Sequence, residues 1–183
     1  GGLGTSIAAD MDKIIIAKGM TVTGPFESLD MMTYPDKKNA DLSLTPEFFL
    51  NAEQRELSPL RNKQFGKTVE QEVEIRLDGW MILVLREPLS SEKIWIKKIP
   101  LGEATERAVV IYEAMPVYKR SGDIIPNGYR AGQVIFDGRK DALANMLKQM
   151  YPTIMNTAWT YLNTQEIAVL RDKAKEIRQR KVF

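Results

Sequence analysis

Residues 69–86, VEQEVEIRLDGWMILVLR, alternate strictly at first and then stop alternating. Val69, Gln71, Val73, Ile75 and Leu77 project to one side, and Glu70, Glu72, Glu74 and Arg76 to the other. A period of two residues with one charged side belongs to a β-strand that packs on one face and meets water on the other. Counted straight through Asp78-Gly79, Met81, Leu83 and Leu85 continue the inner side, while Trp80, Ile82 and Val84 make the outer side apolar as well. The strand therefore passes from a half-solvated region into one covered on both faces. PLSSE at 88–92 has turn chemistry, and Lys93–Ile99 returns as the antiparallel partner.

The flanking segments supply the other layer. In SIAADMDKIIIAK (6–18), Ile7, Met11, Ile14 and Ile15 fall at helical spacing, with Thr5 or Ser6 as N-cap and Gly19 as the stop. A short strand is expected in GMTVTGP and one helical turn near Leu29–Met32. A second strand is expected over 40–52, with Leu42, Leu44, Phe48 and Leu50 on one face and Pro46 marking an edge or bulge. Residues 53–66 look like a polar connection. Beyond Pro100 the pattern weakens, leaving a short strand at Ala108–Tyr112 and a long loop over 113–136. From Asp137 the chain reads as helix, with Leu143, Met146, Leu147, Met150, Ile154, Ala158 and Leu162 forming an apolar stripe and Pro152 predicting a kink or break near Tyr151. Asn163, with Glu166 three residues on as in a capping box, opens a final helix whose buried side is Ile167, Leu170, Ala174 and Ile177. These elements predict one α+β domain over 1–183: an antiparallel sheet with long strands 69–86 and 93–99, packed by an N-terminal helix and long C-terminal helices.

Composition narrows the function classes. The chain has 183 residues, 44% of them hydrophobic, enough for a real core. It has no His and no Cys, which removes the usual imidazole base, the thiolate nucleophile and the nitrogen and sulfur metal ligands. No carboxylate or Ser/Lys motif takes their place. The expectation is a protein that is not an enzyme, with no metal and no cofactor. A net charge of +2 offers no field to draw in nucleic acid. No stretch is long and apolar enough to span a bilayer as a helix.

Several groups have both a functional and a plainer reading. The alternating Glu70, Glu72 and Glu74 fit a solvated strand face better than a cation site. The Lys and Arg residues of 171–181 suit a helix C-terminus, whose dipole they complement, better than a phosphate site. Trp80, Trp95 and Trp159 could stack on sugars, but packing in the core accounts for them more simply. The apolar outer side of the long strand (Trp80, Ile82, Val84), with Tyr118 and Tyr129 of the 113–136 loop, is the candidate interaction surface.

Four segments carry a resemblance to a known family: KGMTVTG (18–24), KKNADLSL (37–44), DGWMILVLREPLSSEKI (78–94) and DALANMLKQMYPTIMNTAWTYLNTQEIAVLRDKAKEIRQRK (141–181). Together they resemble the Helicobacter neuraminyllactose-binding haemagglutinin (HpaA-type) surface lipoproteins, in the manner of a paralogue. The hairpin with its EP turn and the KDALANMLK and DKAKEI segments are the most specific parts. The resemblance implies an adhesin at the outer membrane or flagellar sheath, held by a lipid anchor on a cysteine upstream of Gly1, and a further strand before the first helix. It also implies binding of host sialylated glycan or of another envelope protein. The family's basic run after its second strand is replaced here by Asn51–Leu57, which contains two Glu. That leaves Arg55, Arg61 and Lys63 as the candidate ligand-binding cations. The alternative is a structural or assembly protein of the envelope acting through protein contacts.

Overall fold

The computed structural model describes residues 3–63 and 67–181. The chain is α+β: helix α1 (Leu3–Ala17), a 3-10 turn (Leu29–Met31) and α2 (Tyr34–Asn39), then strands β1 (Ser43–Glu56), β2 (Arg61–Lys63), β3 (Thr68–Arg86), β4 (Lys93–Tyr118) and β5 (Ile124–Asp137), and finally α3 (Arg139–Tyr161) and α4 (Thr164–Arg180). The strands form one antiparallel sheet in the order β1-β3-β4-β5, with β2 paired to the start of β3. Pro46, which cannot donate to a ladder, lies on β1, an edge strand.

The residues fall into two compact units. The first comprises Gly1–Phe49, Trp80–Leu101 and Tyr151–Phe183; the second, Leu50–Gly79 and Gly102–Met150. In the first, Met81, Leu83 and Leu85 of β3 and Trp95, Ile99 and Leu101 of β4 are buried, as are Ile7, Met11 and Ile14 of α1 and Ile154 and Ala158 of α3. The buried side of α4 is Ile167, Leu170, Ala174 and Ile177, the four positions its periodicity predicts. In the second, Val69, Val73, Ile75 and Leu77 of β3, Ala108 and Val110 of β4, and Ala142, Met146 and Met150 of α3 are buried.

Backbone irregularities explain where the strands differ from expectation. On β4 the buried positions are odd-numbered up to Leu101 and even-numbered from Ala108 on. Gly102, at φ 80°, lies where the parity changes. A positive-φ glycine inside a strand is where a two-residue period can be reset. The strand therefore continues to Tyr118 instead of ending at Ile99. The expected loop 113–136 is the end of β4, a tight turn in which Lys119 N donates to Asp123 O at 2.6 Å, and β5. The pairing of β4 with β5 slips between Ile111 and Tyr112, between Tyr112 and Ala114, and between Pro116 and Tyr118. No stretch of β5 alternates long enough to be recognised.

Five further expectations are corrected. Residues 20–25 form no strand, and the Gly24-Pro25 bond is cis. The polar connection is largely strand, since β1 runs on to Glu56 and β2 follows. Helix α1 starts at Leu3, so Thr5 and Ser6 lie inside it. The break that Pro152 allows near Tyr151 does not occur, since α3 is one helix from Arg139 to Tyr161, with Pro152 exposed. The carbonyl that loses its donor belongs to Lys148, itself an exposed residue, so water can replace the missing bond. At the start of α4, Asn163 Oδ1 accepts from the backbone of Gln165 and Glu166. Glu166 does not close a capping box; its Oε1 instead accepts from Trp95 Nε1 at 2.8 Å.

Candidate functional site

The three candidate cations share one arrangement in the second unit. Arg55 donates to Glu74 at 2.9 Å, Arg61 lies 3.9 Å from Glu72, and Lys63 lies 3.9 Å from Glu70. The alternation of β3 puts its three glutamates on one face, and β1 and β2 bring one cation to each. The result is a cross-strand charge ladder in which acidic and basic groups neutralise each other. All three cations are well exposed, so each pair contributes roughly 0–1 kcal/mol.

The outer side of β3 in the first unit is graded. Val84 is 1% exposed, Ile82 is half-buried and Trp80 is 36% exposed. Trp80 is therefore not a core residue. Its ring stacks on Phe49 of β1 with centroids 5.7 Å apart, and Lys98 of β4 sits 4.0 Å over its centroid. Strands β1 and β4 flank β3 on opposite sides, so the indole is sandwiched and has no free face. Trp95, by contrast, is core, at 8% exposure. Tyr118 and Tyr129 lie on the β4–β5 hairpin, where Tyr118 pairs with Ile124 and Pro116 with Tyr129. Tyr118 is exposed and Tyr129 half-buried, and Ile124, Val134, Ile135 and Phe136 are exposed nearby.

Trp159 departs furthest from the expectation of core. It is 46% exposed and stands on the rim of an open cleft lined by Asp10 and Ile14 of α1 and by Met155, Asn156 and Trp159 of α3. Lys18 Nζ sits 4.4 Å over the indole. Asp10 accepts from Lys13 Nζ at 2.6 Å and from the Tyr151 hydroxyl. The hydrogen bonds from Lys13 and Tyr151 hold the Asp10 carboxyl below its ordinary range, against slight desolvation. Burial, and then the bond to Asp10, push the Tyr151 phenol up to about 12, so it remains a donor across the physiological range. The cleft thus joins an aromatic face, a fixed carboxylate and an amide, with the half-buried Lys18 set over the indole beside it. A cation–π contact at an exposed site is worth about 0.5–1 kcal/mol, less than a charge-assisted hydrogen bond, so Lys18 can leave the ring for an anion at little cost. Trp159 follows Ala158 and so lies off the buried stripe of α3, a signal present in the sequence. The partners Asp10 and Lys18 come from α1 and the turn just after it, roughly 140 residues away in the chain, which periodicity cannot bring together.

Among the described residues, no group of three or more Asp and Glu side chains is gathered to hold a metal ion, and no helix is long and apolar enough to cross a membrane.

No protein family defined by sequence matches the chain, and neither does any curated protein. Solved structures do match. One, described as a neuraminyllactose-binding haemagglutinin homologue from Helicobacter pylori, aligns with a TM-score of 0.57 at 16% identity, covering 94% of this chain and 76% of that one. At this identity the likeness is one of fold.

Proposed function

We propose that this chain is a non-enzymatic, adhesin-like protein of the bacterial cell envelope whose ligand is a sialylated glycan. The observation that carries the reading is the shared fold, over 94% of the chain, with a protein described as a neuraminyllactose-binding haemagglutinin homologue. The absence of His and Cys and the resemblance read from segments 78–94 and 141–181 point the same way. A glycan array probed with the purified chain tests it. Signals that require terminal sialic acid and vanish after sialidase treatment are expected, and an array without any such signal overturns the reading. The proposal extends to an outer-membrane or flagellar-sheath location through an N-terminal lipid anchor. Mass spectrometry of the protein from its native membrane checks this: an N-terminus without a lipidated cysteine removes the anchor.

A second reading, a structural or assembly protein of the envelope, is favoured by the exposed apolar side chains of the β4–β5 hairpin, Tyr118, Ile124, Val134, Ile135 and Phe136. Cross-linking in intact cells from positions 118 and 135 should then recover an envelope protein, and recovery of none defeats it.

A further inference from the structure

We infer that the cleft between α1 and α3 is the saccharide-binding site, with a sugar ring resting on Trp159 and its acidic substituent held by Lys18. This rests on the glycan-binding reading above and assigns it a place. Three observations select the cleft over the other aromatic and basic groups. The indole of Trp159 is covered over its ring by the tip of one flexible lysine, whereas Trp80 is held between Phe49 and Lys98. The apolar face of a pyranose needs a ring face that it can reach, and of the two tryptophans only Trp159 offers one at the cost of moving a single side chain.

The polar groups around Trp159 are suited to a sugar. Asp10 is oriented by Lys13 and Tyr151, so it presents its remaining lone pairs to a hydroxyl without first having to be ordered. Asn156 is exposed on the same helix face, one turn before Trp159, and offers both a donor and an acceptor. The local charge also favours an acid. Lys13 balances Asp10, which leaves Lys18 as the net cation of the cleft, and its present contact is the weak one over the indole. A carboxylate on the sugar gives Lys18 a charge-assisted partner in exchange. Arg55, Arg61 and Lys63, in contrast, each face a glutamate already.

Titration calorimetry with neuraminyllactose and with lactose, on the wild-type chain and on Trp159→Ala, Lys18→Ala, Lys98→Ala and Arg55→Ala, tests the assignment. Trp159 is exposed and Lys18 half-buried, and unchanged circular dichroism verifies that each variant folds. Trp159→Ala should weaken neuraminyllactose at least tenfold and Trp159→Phe should restore most of it. Lys18→Ala should remove the preference for neuraminyllactose over lactose, and Lys98→Ala and Arg55→Ala should bind as the wild type does. If the wild type binds and Trp159→Ala and Lys18→Ala bind equally well, the cleft is not the site, although the glycan-binding function stands. If the wild type binds no sialylated glycan on the array, the function itself falls, and the site with it.

Discussion

Among the described residues, Glu87 is the one carboxylate whose side chain is completely buried, and its surroundings show how an acid is kept charged there. It accepts from the backbone of Leu89 and Ser90 and from Arg178 of α4, at 3.0 Å from Nε and 2.7 Å from Nη2. The same guanidinium donates to the carbonyls of Lys38 and Ala40. One residue pair thereby ties the β3–β4 turn, the last helix and the end of α2 together. Desolvation pushes the Glu87 carboxyl up, but the donors from Ser90, Arg178 and Leu89 together outweigh it, and the group ends below its ordinary 4.5. A depressed folded value means that the unfolded chain binds the proton more tightly. The stabilisation is therefore complete above pH 4.5 and is lost as the pH falls below it. Arg178 is partly exposed, so Glu87→Gln should cost about 2–3 kcal/mol at pH 7, toward the low end for a broken buried pair. Denaturant midpoints from pH 7 down to pH 3 should show the gap between wild type and variant narrowing with acid. A gap of constant size means that the charge of Glu87 is not its source.

At the level of elements, the two edge strands are defended differently. Strand β1 carries Pro46 and, further on, Glu53, Arg55 and Glu56, and these discourage pairing with another chain. The other edge, β5, has no charge between Ala131 and Phe136 and exposes Val134, Ile135 and Phe136. Its protection is geometric. Between Asp137 and Ala131 it spends more residues than the facing stretch of β4, with slips on either side of Tyr112, so it offers a poor template. Deleting Ile135 removes one extra residue and straightens the edge. That variant should self-associate while the full chain does not, as sedimentation velocity at equal concentration would show; a monomeric variant places the defence elsewhere. The β3 charge ladder is marginal by comparison. Arg55→Ala, Arg61→Ala and Lys63→Ala should each change stability by less than about 1 kcal/mol, a thermal shift of a few degrees at most. A larger loss in any of them assigns that pair a structural weight its exposure does not suggest.

Over the whole molecule, sequence legibility followed the regularity of the backbone. Strand β3 keeps one parity from Val69 to Leu85, through Asp78-Gly79, and its buried side could be read residue by residue. Helix α4 was equally clear. Strands β4 and β5 were half hidden because the parity change at Gly102 and the register slips around Tyr112 reset the period on which such reading depends. Of the candidate site, the exposure of Trp159 was legible from its place off the α3 stripe, but the cleft had no signature because its partners are far apart in the chain. Charge, the other property legible at once, bears on how a ligand is captured. The net charge is +2, and much of the basic C-terminal segment is committed, Arg171 to Asp41, Arg178 to Glu87 and Lys181 to Glu92. Among the described residues no extended positive field is left to steer an acidic glycan, so the binding proposed above has to come from contact, through one lysine and one indole. Salt screens a single exposed ion pair only in part and leaves stacking untouched. Affinity for neuraminyllactose should accordingly fall by less than about threefold when ionic strength is raised from 0.05 to 0.5 M, whereas a site built on the C-terminal lysines and arginines would lose tenfold or more. Calorimetry at the two salt concentrations decides between them. A steep loss transfers the acidic group of the ligand from Lys18 to the basic end of α4.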